Sequence, residues 1–170
     1  STSLTHDDKK GLSYFGVSEA VFETTIREEN PDIVGIGTPF TAQADNAMKA
    51  VKLTRENLPD VPIVLGGPHA SVFGAKILKE NLDVDFVVLG EGEQAFPMLL
   101  SEIKEGKEDA YAGIPGLVWR EENSIRTNPI EVIDELDLLP LPAYHLIDME
   151  RHFALQEEGL FSRPFKSRSA

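Results

Sequence analysis

Residues 62–71 read "PIVLGGPHAS". An apolar run, Ile63 to Leu65, stops at two glycines, a proline and a histidine. A run this short and this apolar fits a strand covered on both faces, because a half-exposed strand would alternate with polar residues. A helical pattern follows in "SVFGAKILKENL" (71–82), with Ser71 placed to cap and Phe73, Ile77 and Leu78 as its apolar positions. Buried strand, glycine turn and helix in this order imply a parallel sheet, whose crossovers lay helices on its faces.

The same unit recurs on either side. Upstream, "PDIVGIG" (31–37) reads as a strand buried on both faces through Ile33, Val34 and Ile36. "QADNAMKAVKLTRENL" (43–58) follows, with Ala44, Ala47, Met48 and Val51 at helical spacing. Downstream, "VDFVVLGEGE" (84–93) is a third strand and "QAFPMLLSEIKEG" (94–106) a helix, with Pro97 in its first turn and Gly106 near its end. A helix over 18–29 precedes all three units, capped by Ser18 and carrying Val21, Phe22 and Ile26 on one face. The fold expected is α/β, a Rossmann-like (flavodoxin-like) parallel sheet with helices on both faces.

Past Gly106 the pattern changes. "GLVWREENSIRTN" (116–128) reads as a hairpin: Gly116 to Arg120, a turn at Glu122 to Ser124, then Ile125 to Thr127. The α/β domain is expected over 1–130, with the hairpin at 114–128, and 131–170 reads as a linker. Pro140 and Pro142 exclude regular helix there, a short helix is expected over Tyr144 to Met149, and the basic end "SRPFKSRSA" (162–170) reads as extended.

Composition excludes several functions. The 170 residues hold 16 basic and 29 acidic side chains, a net charge of −13, which argues against a nucleic-acid surface built on concentrated Lys and Arg. With no cysteine the chain itself carries no disulfide, thiolate metal site or iron–sulfur cluster, and this fits a cytoplasmic location. No apolar run approaches the roughly 20 residues that span a bilayer, and no signal peptide is visible. "STSLTHDDKKG", without an initiator Met, reads as a piece of a longer protein.

In an open parallel sheet a ligand sits outside the carboxyl ends of the strands, where strand order reverses. Those ends are "GTPFT" (37–41), "GGPHAS" (66–71) and "GEGE" (90–93), and each carries glycine. Gly66 and Gly67 either make a tight turn or let a bulky partner lie against the backbone. The hydroxyls of Thr38 and Thr41, flanking Pro39 and Phe40, either bond a ligand or, for Thr41, cap the next helix. Glu93 fits a helix start, which leaves Glu91 as the better functional carboxylate. His69 has no H-x-x-x-H companion and no zinc pattern surrounds it. No P-loop, G-x-S-x-G or G-x-G-x-x-G is present. The edge reads as a binding site without obvious catalytic machinery.

Taken in order, "NPDIVGIGTPFT", "VPIVLGGPHAS", "VDFVVLGEGEQAF", "GIPGLVWR" and "IDELDLLPLPAYHLID" resemble the N-terminal cobalamin-binding domain of B12-dependent radical SAM enzymes, over roughly residues 18–150. The branch most similar includes the anaerobic magnesium-protoporphyrin IX monomethyl ester cyclase. The resemblance implies cobalamin on the carboxyl edge, its nucleotide tail running beside the strands. Thr38 to Thr41 match the loop that offers the tail a hydroxyl, Gly66 and Gly67 the paired glycines that make room for it, and Gly90 to Gly92 the third loop of the rim. The cofactor-binding residues expected are Thr38, Phe40, Thr41, Gly66, Gly67, His69, Gly90, Glu91 and Gly92, with no catalytic residue and no metal ligand. Gly67→Val is expected to block the tail groove and leave the fold intact.

The chain departs from that family in two places. The D-x-H-x-x-G motif that supplies an axial histidine is absent, and His69 lies on a different loop. The first two strands of the family's sheet are expected to be missing, so the fold is N-terminally incomplete, cobalamin is held weakly or not at all by this piece, and the open sheet edge favours self-association. The radical SAM barrel, with its C-x-x-x-C-x-x-C cluster loop, is expected after "SRSA"; S-adenosylmethionine and a [4Fe-4S] cluster then belong to the parent protein, and the partner of this domain is its own barrel. The parent is expected to be an oxidative cyclase of tetrapyrrole synthesis or a related methyltransferase. Two other readings stay open: a domain of the same fold that has lost the cofactor and serves docking or substrate recognition, and a self-sufficient α/β enzyme using Glu91 or His69 in acid–base work.

Overall fold

The structure, a computed structural model, describes residues 3–7, 12–106, 108–147 and 150. The chain divides into two compact units, Ser1–Asp134 and Glu135–Ala170.

The first unit opens with a hairpin that the sequence reading did not foresee: β1 (Ser3–Asp7) pairs antiparallel with β2 (Leu12–Gly16), Thr5 opposite Tyr14. Helix α1 (Glu19–Glu29) follows, and its Ser18 cap is as expected: the hydroxyl accepts from Val21 N at 3.4 Å. Its apolar face is not core, for α1 buries no residue and Val21 is 42% exposed.

The three strand–helix units are present. They are β3 (Val34–Gly37) with α2 (Ala44–Asn57), β4 (Ile63–Gly66) with α3 (Pro68–Glu80), and β5 (Phe86–Val88) with α4 (Gly92–Glu105). β3, β4 and β5 are parallel neighbours. The expected hairpin forms as β6 (Leu117–Glu121) and β7 (Ser124–Thr127), and it joins the same sheet, β6 running antiparallel to β5. The sheet is therefore mixed, in the order β3-β4-β5-β6-β7. Among the described strands the order never reverses, contrary to the expected switch point, and β3 is an edge with β4 as its one neighbour.

Alternation along the strands sends side chains to two cores. Val51, Ile63, Leu65, Ala70, Ile77, Leu78, Val87 and Val118 pack on the face covered by α2 and α3. Val64, Val88, Ala95, Leu99, Leu117 and Trp119 pack on the face covered by α4. Leu65, Leu99 and Leu117 are fully buried, each contributing about 1.5–3 kcal/mol by leaving water.

Three local expectations are corrected. α3 starts at Pro68 with Gly67 as its N-cap, so Ser71 lies inside the helix rather than capping it; proline's fixed φ suits the first helical position. Its core stripe is Ala70, Gly74, Ile77 and Leu78, while Phe73 is 38% exposed and packs against His69 with the rings tilted by 44° and their centroids 4.9 Å apart. α4 starts at Gly92, which puts Pro97 past the first turn.

At the amino end of the sheet two arginines act as staples. Arg55 donates to Pro59 O, Val61 O, Asp83 O and Asp85 Oδ2, and Asp85 Oδ2 also accepts from Ile63 N at 2.7 Å. Arg120 donates to Val84 O, Leu78 O and Asn81 O.

In the second unit the described elements are two 3-10 turns, Leu136–Leu138 and Tyr144–Leu146, on either side of Pro140 and Pro142. The second turn occupies the start of the expected short helix. Its Asp148–Met149 end and the basic stretch 162–170 lie outside the described residues. No helix among the described residues is long and apolar enough to cross a membrane.

Candidate functional site

β3 was expected to be buried on both faces. It is not, because glycine alternates along it. Val34 and Ile36 are half-buried, whereas Gly35 and Gly37 are exposed. Gly35 and Gly37 lie opposite Val64 and Gly66 in the parallel register, so at the sheet's carboxyl end three neighbouring positions, Gly35, Gly37 and Gly66, carry no Cβ. The result is a groove of about 430 Å³, floored by Gly35, Gly37 and Gly66 and walled by Val64, Val88 and Phe96. Glu93 is the one charged side chain on its lining among the described residues.

The glycines separate into two classes. A Cβ built at Gly37 meets nothing within 4 Å; at Gly66 its nearest neighbour is Val88 O at 3.9 Å, and at Gly92 it is Val88 Cγ1 at 4.0 Å. None of these three has a positive φ. Nothing among the described residues requires glycine there, and the volume a side chain would fill stays open among them. Gly67 and Gly90 differ. Gly67 has φ +94° and its Cβ would lie 3.2 Å from the Thr38 backbone; Gly90 has φ +70° and would meet Ile130 Cγ2 at 2.7 Å. These two shape the turns themselves.

Of the residues singled out in the sequence, Gly66, Gly67, Gly90 and Gly92 line the groove. Thr38, Phe40, Thr41, His69 and Glu91 do not. Thr38 is 1% exposed, and its hydroxyl is spent inside the chain: it donates to Gly66 O at 2.7 Å and accepts from Ala70 N at 3.1 Å. His69 N donates to Thr38 O at 3.1 Å. Thr38 thus caps α3 from the neighbouring strand, where Gly67 has no side chain to do so. Thr41 caps no helix; its hydroxyl lies 3.1 Å from His69 Nδ1. Phe40 is 66% exposed. The Glu91 carboxylate accepts from Ile133 N at 2.9 Å.

The sequence reading missed Gly35, Val64, Val88 and Phe96, and it counted Gly37 among the glycine-bearing strand ends without naming it as a cofactor-binding residue. Its available signal was the pair of glycines two apart in "VGIG" (34–37), which share a face in any strand.

A larger cavity, about 750 Å³, lies at the amino end of the sheet beside Arg55, Asp85, Tyr111 and Arg120. Its two guanidinium groups donate to carbonyls and to Asp85, and the other charged side chains on its lining, Asp60, Glu121 and Glu122, are acidic. Among the described residues no three His, Asp or Glu side chains cluster as a metal site.

The family model described as the B12 binding domain matches residues 14–100, just over half of the chain. This chain belongs to the B12-binding domain family. An uncharacterized methyltransferase of Pyrococcus horikoshii is 34% identical over 130 residues, covering 76% of this domain and 28% of that protein. The anaerobic magnesium-protoporphyrin IX monomethyl ester cyclase of Rubrivivax gelatinosus is 29% identical over 137 residues, again 76% of the domain and 24% of the relative. The solved cobalamin-dependent S-adenosylmethionine radical enzyme OxsB, with aqua-cobalamin and S-adenosylmethionine bound, superposes with a TM-score of 0.63 at 16% identity, over 75% of the domain and 18% of that structure. The family and the flavodoxin-like fold expected from the motifs are therefore both met. The B12-binding domain spans less than a third of the length of these relatives.

Proposed function

We propose that this chain holds cobalamin at the carboxyl edge of β3, β4 and β5, with the nucleotide tail in the glycine-floored groove. The observation that carries the proposal is the Gly37–Gly66 pair: both positions accept a Cβ without a clash, yet both are bare, and the space so kept is open to a ligand. The apolar walls Val64, Val88 and Phe96 would exclude water from the tail. Gly67 and Gly90 hold the loops in conformations that keep the rim low, and Thr38 ties β3 to the first turn of α3 beneath it. Thr41, His69 and Phe40 stand on the same edge, available to the corrin rather than to the tail. Bound cobalamin would supply methyl-carrying or radical-assisting chemistry.

The activity belongs to a larger protein. We assign it to the class of its relatives, a radical SAM cyclase or methyltransferase in which S-adenosylmethionine and a [4Fe-4S] cluster are held by a separate barrel, the partner of this domain, in the cytoplasm. The free edge of β3 would be the surface for self-association.

The deciding experiment is titration of the full-length protein with hydroxocobalamin, followed by desalting and a visible spectrum. Stoichiometric retained colour is expected. Complete loss of colour would overturn the proposal and favour the docking reading, in which the committed Thr38 hydroxyl and the unfilled groove are remnants.

A further inference from the structure

Residues 129–133 run back over the carboxyl edge of the sheet, and three contacts pin them. Gly116 N donates to Pro129 O at 2.8 Å. The Ile130 side chain lies on Gly90, so closely that a Cβ there would sit 2.7 Å from Ile130 Cγ2. Ile133 N donates to Glu91 Oε2 at 2.9 Å. Glu91 occupies the N-cap position of α4 but makes no capping bond. Short side chains such as Ser, Thr, Asp and Asn are favoured there because they reach the next turn's N–H groups. The strap contact accounts for a longer carboxylate at that position.

Glu91 stands between Gly90 and Gly92, and both of these line the groove. The rim is continuous with the rest of the edge: Gly90 N donates to Ser71 Oγ at 2.9 Å, and Ser71 Oγ donates to Gly67 O at 3.0 Å. A molecule seated against Gly90 and Gly92 would fix the backbone on either side of Glu91 and hold its carboxylate where the Ile133 N–H needs it.

We infer that Glu91 is a positioning residue, a latch that couples occupancy of the groove to the course of the strap 129–133. Linkage makes the coupling reciprocal: a strap held in place favours the ligand by the same factor by which the ligand favours the strap. The latch stands on the contacts above; its coupling to a ligand rests on the cobalamin reading.

The test is amide hydrogen exchange on the full-length protein, wild type, Glu91→Gln and Glu91→Ala, with and without hydroxocobalamin. It is read on a peptide covering 129–134, with a peptide covering 63–66 as control. Without ligand, Glu91→Ala is expected to speed strap exchange about tenfold with the control unchanged, and Glu91→Gln, whose amide oxygen still accepts the N–H, to match wild type. Hydroxocobalamin is expected to slow the strap in wild type and Glu91→Gln but not in Glu91→Ala. Equal strap exchange in all three apo proteins, or acceleration of the control as well, overturns the latch. Retained cobalamin that slows the strap equally in Glu91→Ala overturns the coupling. A strap that responds to Glu91→Ala in a protein retaining no cobalamin supports the latch and overturns the cobalamin reading instead.

Discussion

Gly37 lies opposite Gly66 across the β3–β4 pair, and neither is glycine for the sake of the backbone. Glycine inside a strand costs about 0.5–1 kcal/mol relative to alanine, and valine suits a strand better still. Gly37→Val is therefore expected to leave stability unchanged or raise it by up to ~1 kcal/mol, about 2–4 °C in thermal midpoint for a chain of this size. The same side chain would stand in the groove. Overpacking of about 1–3 kcal/mol corresponds to roughly a 5- to 150-fold loss of cobalamin affinity. Thermal melts beside hydroxocobalamin titrations check both arms, and a variant that binds like wild type would remove Gly37 from the site.

Gly67 is expected to behave in the opposite way. Its φ of +94° and ψ of 176° fall where side-chain-bearing residues are strained, and a Cβ would press on Thr38 N and O at 3.2 Å. Gly67→Val is expected to cost about 1–3 kcal/mol from the dihedrals alone, with the contact added. The sequence reading made this substitution a clean block of the groove with an intact fold, and the geometry corrects it. Urea unfolding of Gly67→Val against Gly66→Val separates the two positions. The first should lose stability, and the second should lose binding while remaining folded.

The difference between these neighbours explains which parts of the molecule were legible in the sequence. Strands β4 and β5 and helices α2 to α4 announce themselves, because a buried strand and an amphipathic helix leave their period in the apolar residues. The hairpin β6–β7 is equally plain, but not its place: pairing between Val87 and Val118 is a tertiary fact with no local signal. Rim glycines could be listed from the sequence but not sorted, since φ and the nearest neighbour decide whether a glycine shapes a turn or empties a groove. Gly35 carries no signal of its own, because Val34 and Ile36 on either side of it read as a strand buried on both faces. The bonds of Thr38 are hidden for a related reason. From the sequence its hydroxyl reads as a ligand contact, and its partners Gly66 O and Ala70 N belong to a different strand and to the helix it caps, which no local pattern shows.

That role makes Thr38 a test of structure against binding. Thr38→Val keeps the shape, removes the acceptor for Ala70 N, and leaves a buried N–H unsatisfied. The expected cost is about 1–3 kcal/mol. Gly66 O keeps the Thr38 N–H as a donor at 2.8 Å, so the strand ends should stay in register. Thr38→Ser, which retains the hydroxyl, is expected to recover most of the loss. Chemical denaturation reads the cost. Cobalamin affinity measured well below the unfolding midpoint should stay within about threefold of wild type, since a difference of that size is under 1 kcal/mol. A larger loss, rescued by serine, would make the hydroxyl a ligand contact after all.

Arg120 governs how the hairpin is held to the rest of the sheet. Its guanidinium reaches from β6 to three carbonyls, Leu78 O and Asn81 O at the end of α3 and Val84 O just before β5. Carbonyls at a helix C-terminus lack partners within the helix and attract a cation. A hydrogen bond from a charged group contributes about 1.5–3 kcal/mol, and with three of them sharing one side chain the bonds are not independent. Arg120→Met keeps the apolar stem and removes all three donors, and it is expected to cost about 2–4 kcal/mol. Arg120→Lys supplies one compact ammonium in place of a planar fork and should restore only part of this. The loss should fall first on the hairpin: amide exchange in β6 and β7 is expected to rise more than in β4. Equal acceleration across the sheet would instead make β3 to β7 one cooperative unit. The groove lies at the opposite end of the strands, so cobalamin retained by the folded fraction of Arg120→Met should match wild type.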